Sequence, residues 1–240
     1  MGISVVIPVR FDEQPCARLL CELQEFRGPQ FEILVVEAAD SSLDPELHKS
    51  ADRWLRSDVG RSVQLAVGAA EANQPCLWFL HADTRDVADA ARYLIELFAQ
   101  SPPVGTWGRF EVRFDDQRLL YKMVPWFMNW RSRLTGIATG DQGIYVSSAL
   151  LLDAGGWPQQ LLMEDVELCA RLRRLMSPSL PPRGLVTLTT SARRWRTNGV
   201  WRTIFLMWRL RLKYALGVDP AELHKSYYVD NGLSSVEPEA

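Results

Sequence analysis

The chain has 240 residues, 47% of them hydrophobic, and a net charge of −2; that suffices for one sizeable core, and an α/β chain of this length commonly forms one domain. No apolar run approaches the roughly eighteen residues that span a bilayer, no zinc-type spacing joins Cys16, Cys21, Cys76 and Cys169, and no recognised nucleic-acid motif is present. Charge is unevenly placed: Leu168 to Val218 holds eleven Lys or Arg and no Asp or Glu, leaving sixteen basic against twenty-nine acidic residues elsewhere, which points to phosphate or a membrane surface as partner.

Ile3 to Val9 is a β-branched run and predicts a first strand, with no basic leader ahead of it, so the expected location is cytoplasmic. Pro15 to Phe26 carries apolar residues at helical spacing until Gly28-Pro29 stops it. Phe31 to Val36 reads as a second buried strand, and Pro45 opens a helix through Leu47, Ala51, Trp54 and Leu55. Val63 to Val67 fits a short third strand, while Ala66 to Ala72 equally continues a helix. Cys76 to Leu80 predicts the next strand and Val87 to Phe98 the helix after it. Such alternation predicts a mostly parallel, doubly wound sheet with helices on both faces. After Pro102-Pro103 the pattern changes. Trp107 to Phe114 alternates, with Arg109, Glu111 and Arg113 on one face and Phe110, Val112 and Phe114 on the other, which reads as one strand. Gly140 to Val146 reads as a turn into a strand, Met163 to about Leu175 as a helix, and the tail after Tyr228 as loose.

The most informative feature is His81-Ala82-Asp83, placed directly after the apolar run Cys76 to Leu80. Open α/β sheets bind ligands at the C-terminal ends of their strands, and a carboxylate there can hold Mg²⁺ or Mn²⁺ against phosphates. The plainer reading is an Asp that caps the following helix. Glu164, Asp165 and Glu167 likewise have a plain reading, since acidic residues in a first helical turn complement the dipole and Glu167 can pair with Arg171. They also follow a Gly155-Gly156-Trp157-Pro158 break, and a carboxylate on a loop-to-helix junction is well placed as a general base.

Seven segments in order carry a resemblance: Ile3-Ser4-Val5-Val6-Ile7-Pro8, Ile33-Leu34-Val35-Val36-Glu37, Gly60-Arg61-Ser62-Val63-Gln64, Leu80-His81-Ala82-Asp83-Thr84, Thr139-Gly140-Asp141-Gln142-Gly143, Met163-Glu164-Asp165-Val166-Glu167 and Ser191-Ala192-Arg193-Arg194-Trp195. Together, from Gly2 to about Tyr227, they resemble glycosyltransferase family 2, the inverting enzymes with a GT-A fold. More narrowly they resemble the subgroup called radical-SAM/selenodomain-associated transferase 2, or arsenosugar-biosynthesis glycosyltransferases. The resemblance implies one GT-A domain over residues 1–228, with a nucleotide-binding half (1–100), an acceptor half (101–228) and a flexible tail (229–240). It implies that Pro8 and Glu13 line the base pocket, Glu37 contacts the base and ribose of a UDP-sugar, and Arg61 approaches the diphosphate. Asp83 stands at the last Asp of the DxD and would hold a divalent cation, with His81 in place of the first Asp. Asp165 stands at the catalytic base, with Glu164 beside it, and Arg194-Trp195 at the Arg-Trp of QxxRW, where Ser191 replaces Gln. The family's DDGS turn is Glu37-Ala38-Ala39-Asp40 here.

The chemistry of the residue types agrees. Sugar transfer needs a neutralised leaving diphosphate, for which a divalent ion and Arg61 or Arg194 serve. The acceptor hydroxyl must pass a proton to a carboxylate, here Asp165. Asp141, Gln142 and Trp195 are candidates to hold the acceptor, a small molecule or a lipid-linked one. One base and no carboxylate nucleophile fits a single displacement with inversion. Two rivals stand beside this: a GT-A domain that has lost its chemistry, and a sugar-phosphate nucleotidyltransferase, which would want a Gly-rich basic loop where this chain has Pro8-Val9-Arg10-Phe11-Asp12. Trp201 to Leu216 mixes Trp, Phe and Leu with Arg and Lys. It reads either as a packing helix partnered by Leu119 to Trp130, forming a lid or acceptor wall, or as an interfacial helix at the inner membrane face.

Overall fold

The computed structural model describes residues 2–100 and 105–231; the Pro102-Pro103 break and the tail beyond 231 lie outside the described residues. Strand β1 (Ile3–Val9) leads to helix α1 (Glu13–Leu23), then β2 (Phe31–Ala38), β3 (Arg53–Ser57), α2 (Arg61–Glu71), β4 (Cys76–Phe79) and α3 (Ala88–Ala99). The second half holds β5 (Trp107–Gly108), β6 (Glu111–Phe114), α4 (Leu119–Thr135), β7 (Tyr145–Ser147), α5 (Ser148–Asp153), α6 (Glu164–Leu175), β8 (Thr187–Thr190), α7 (Arg193–Asn198), α8 (Val200–Ala215) and α9 (Pro220–Asn231).

Six strands form the main sheet in the order β3-β2-β1-β4-β7-β5. The first four run parallel, and β7 pairs antiparallel with both β4 and β5. Every residue of β1, β2 and β4 is buried, the signature of strands covered on both faces. Successive side chains go to opposite sides. Val5, Ile7, Ile33, Val35 and Trp78 pack with α1 and α3, whereas Val6, Val36, Leu77 and Phe79 pack with α2, α5 and α6. A second sheet of β6 and β8, parallel, carries α4 beside it.

Three expectations need correction. The helix expected through Trp54 and Leu55 is a 3-10 turn, Pro45–Ser50, followed by edge strand β3. Backbone bonding decides this: Asp52 N donates to Ile33 O, and the Asp52 carboxylate accepts from Ile33 N, which aligns Arg53 with Leu34. Trp107 to Phe114 is two strands in two sheets, and Arg109 does not share a polar face with Arg113. It is 2% exposed and donates to the carbonyls of Phe110 and Asn129. The helix α9 continues past Tyr228 to Asn231. Of the two readings of 63–72, the helix is correct.

Candidate functional site

Beyond the C-terminal ends of β1, β2 and β4, four loops converge. His81 and Asp83 follow β4, Gly140 to Gln142 form a 3-10 turn ahead of β7, Arg61 opens α2, and Glu164 and Asp165 open α6. Met163, which precedes α6, has φ of 63°. That left-handed residue turns the chain so that Glu164 and Asp165 point inward, where they are 2% and 8% exposed.

A chain of polar contacts joins these loops. Arg61 Nε donates to Glu164 Oε1 at 2.7 Å. Arg61 Nη1 faces His81 Nε2 at 3.3 Å, so that nitrogen accepts, and the proton is assigned to Nδ1, which donates to Asp141 Oδ1 at 3.2 Å. Asp165 Oδ2 accepts from Gly140 N at 2.9 Å, and Oδ1 from Val166 N at 2.8 Å. A Cβ on Gly140 would come within 2.3 Å of His81 Nε2, so only glycine lets the turn press against the imidazole. Glu167 pairs with Arg171 at 2.7 Å, as its spacing predicted, and also accepts from the Tyr214 hydroxyl.

Electrostatics follow from this crowding. Burial works against the Arg61 charge, but Glu164, Asp165 and Asp141 outweigh it, so its pKa is raised. Burial would raise the Asp141 carboxyl too, yet the His81 hydrogen bond, with His81, Arg61 and Arg194 nearby, pulls it down to about 2. The Asp83 carboxyl is raised from its ordinary value, first by burial and further by Asp141 and Asp12, with His81 opposing. Asp83, with Asp141 acting on it, is the carboxylate placed to hold a divalent cation. Among the described residues no three His, Cys, Asp or Glu side chains form a complete cage. Such an incomplete set fits an ion held by one or two carboxylates and completed by substrate phosphates.

His81, Asp83, Asp141, Arg194 and Trp195 line one cavity of about 520 Å³, which runs outward between α4 and α8. The other expected site residues lie differently. Pro8 is buried in β1. Glu13 accepts from Asp44 N and so anchors the loop after β2. Glu37 is 3% exposed, with one oxygen accepting from Leu43 N and the other from the Trp54 indole. Gln142 is fully buried and ties its own turn to Asn129 and Ser132. Trp195 packs on Phe114, and the Arg194 guanidinium lies over the Tyr227 ring, 5.0 Å from its centroid. Sequence reasoning missed Arg131 as a site residue and took Arg211 only as part of a helix; both line the cavity. The signal available was Arg131 among the three cations, Lys122, Arg131 and Arg133, inside the aromatic-rich stretch 119–134. Arg193 Nη2 meets Asp12 Oδ1 at 3.1 Å and ties α7 to the loop after β1.

Residues 4–153 match the family Glycosyl transferase family 2. The chain belongs to glycosyltransferase family 2. This family 2 chain is 24% identical over 248 residues to beta-monoglucosyldiacylglycerol synthase from Nostoc sp. strain PCC 7120, covering 90% of this chain and 52% of the relative. The chain thus spans about half the length of that curated relative. Among solved structures, the mannosyltransferase PcManGT from Pyrobaculum calidifontis in complex with GDP-Man and Mn²⁺ superposes with a TM-score of 0.65 at 16% identity, covering 95% of this chain and 69% of that one. S. aureus TarS 1-349 in complex with UDP-GlcNAc gives 0.60 at 14% identity, covering 80% and 58%. Glucosyl-3-phosphoglycerate synthase from Mycobacterium tuberculosis, in complex with Mn²⁺, UDP and glucosyl-3-phosphoglycerate, gives 0.52 at 14%, covering 79% and 70%. These likenesses establish a GT-A-like fold. Among the described residues no helix is long and apolar enough to cross a membrane.

Proposed function

We propose that this family 2 chain transfers a sugar, with inversion, from a nucleotide-diphosphate sugar to a hydroxyl acceptor that is a small molecule or lipid-linked. UDP is the first expected nucleotide, and membership of the radical-SAM-associated subgroup remains part of this proposal. Residues 1–100 form the donor half and 101–228 the acceptor half of one domain. What carries the reading is the meeting of Asp83, His81, Asp141 and Arg194 in one cavity beyond the strand ends, with Asp165 immediately behind Gly140.

Asp83 would hold a divalent cation, Mn²⁺ or Mg²⁺, which when bound supplies charge neutralisation to the leaving diphosphate. Arg194 lends a second positive charge to the same oxygens. Arg61 keeps Glu164 in place and reaches His81, so it couples the donor side to the carboxylate turn. Asp165 accepts the proton of the acceptor hydroxyl. Its two backbone contacts fix its rotamer, which limits the misplacement that erodes rate. Asp141 and Trp195 border the acceptor side, while Gln142 supports the turn that presents Asp141.

A thermal-shift panel of nucleotide sugars, with and without Mn²⁺, tests this. A ligand at one hundred times its dissociation constant adds roughly 2.7 kcal/mol of stability. A Mn²⁺-dependent shift with one or a few donors is the expected outcome. No shift with any donor would refute the donor site.

A further inference from the structure

The cavity does not end at the polar floor. It continues between α4 and α8, where Met123, Trp126 and Phe127 face Ile204 and Trp208. Phe127 and Trp208 approach to 6.2 Å between ring centroids. At the outer rim Trp126, Trp201 and Trp208 are each between 61% and 65% exposed, and Phe205, on α8 with Trp201 and Trp208, is 72% exposed. Exposed aromatics in this number mark a contact surface. Apart from Trp126, these residues belong to the segment between Leu168 and Val218, which has eleven basic residues and no acidic one. Trp and Phe interleaved with Arg and Lys match an anionic bilayer surface in both polarity and charge.

Two guanidinium groups lie deeper in the same wall, Arg131 on α4 and Arg211 on α8. Arg131 Nη2 and Arg211 Nε are sealed from solvent with no hydrogen-bond partner, and neither residue has an ion pair among the described residues. Buried cationic groups of this kind are ordinarily paired. Asp165 acts electrostatically on both without bonding either. Burial, with Arg211 adding to it, pushes Arg131 down to about 10, and burial lowers Arg211 too. A ligand anion would reverse both effects.

We propose that the acceptor is an anionic membrane lipid, with its headgroup phosphate on Arg131 and Arg211, its hydroxyl toward Asp165 and its chains between α4 and α8. This rests on the sugar-transfer reading and names the acceptor class that reading leaves open. The acceptor oxygen bonds to the anomeric carbon, the bond from that carbon to the diphosphate breaks, and the nucleoside diphosphate leaves with the electron pair. The hydroxyl proton passes to Asp165.

The test uses the full chain, the nucleotide sugar and Mn²⁺ selected by the thermal-shift panel, and vesicles of phosphatidylcholine with or without phosphatidylglycerol, whose headgroup carries a phosphate and free hydroxyls. Labelled sugar should enter the organic phase only with phosphatidylglycerol. Arg131→Gln and Arg211→Gln should each raise the acceptor KM about 10- to 100-fold, the size of one lost charge-assisted contact. Donor affinity should stay unchanged in both, which also reports an intact fold. Wild-type acceptor KM in both variants would overturn the proposal. So would glycosylation of soluble glycerol phosphate at the efficiency of the lipid, which would make the acceptor a free phosphate compound. A chain that binds no donor would instead overturn the sugar-transfer reading itself.

Discussion

Asp165→Asn separates chemistry from folding more widely than any other single change at this site. The carboxylate accepts from Gly140 N and from Val166 N, one oxygen each. The amide oxygen can keep one of these bonds, while its NH₂ then faces a backbone donor at the other. One hydrogen bond is lost and one buried N–H is left unpaired, which together cost about 1–3 kcal/mol. At about 2–4 °C per kcal/mol for a chain of this size, the melting temperature should fall by several degrees with the fold retained. Loss of the general base should slow transfer by about 10²–10⁴-fold, or about 3–5 kcal/mol in the barrier. The kinetic effect therefore exceeds the stability effect, and donor affinity should hardly move. Glu164→Gln should be milder in rate, because its amide oxygen can still accept from Arg61. Initial transfer rates, donor affinity by calorimetry and melting curves for both variants make the comparison. Turnover within tenfold of wild type for Asp165→Asn, beside an inactive Glu164→Gln, would refute the assignment and exchange the two roles.

Other outcomes follow from the same geometry. Asp83→Ala should abolish Mn²⁺-dependent nucleotide binding while melting near wild type, and His81→Ala should cost less; calorimetry with and without Mn²⁺ decides this, and unchanged Mn²⁺-dependent affinity in Asp83→Ala would remove the metal from that residue. Arg194→Ala should raise donor KM and lower kcat, whereas Trp195→Ala should mainly weaken acceptor binding through lost packing on Phe114; wild-type kinetics in both would leave the pair as packing only. Gln64→Ala addresses stability: its amide donates to Val9 O at 2.9 Å and Val36 O at 2.7 Å where β1 and β2 end, and it is 3% exposed. Leaving those carbonyls unpaired should cost about 1–3 kcal/mol in denaturant unfolding.

Strands β1, β2 and β4 were legible because they are buried on both faces and announce themselves as apolar runs, β-branched in β1 and β2. Edge strand β3 was not, since Trp54 and Leu55 are only half-buried and their spacing from Leu47 and Ala51 mimics a helical stripe. Alternation over 107–114 hid a change of sheet, because period two says nothing about which partner a strand pairs with. The acidic turns could be read from sequence, but the local duty of each side chain could not. Glu37 and Gln142 sit at motif positions, and both are occupied by contacts within the protein. Arg131 and Arg211 lie eighty residues apart and face one cavity only through the packing of α4 and α8.

The Arg193–Asp12 pair has a kinetic consequence. Its side chains are 67% and 38% exposed, and an exposed pair is worth at most about 1 kcal/mol. Such a pair is broken roughly one-sixth of the time even at that upper bound. Exposed side chains exchange rotamers in picoseconds to nanoseconds, while enzymes typically turn over 1 to about 10³ times per second. The tie between α7 and the loop after β1 thus opens and closes many thousands of times within one catalytic cycle. A tie this weak and this fast cannot time the arrival of substrate or the departure of product.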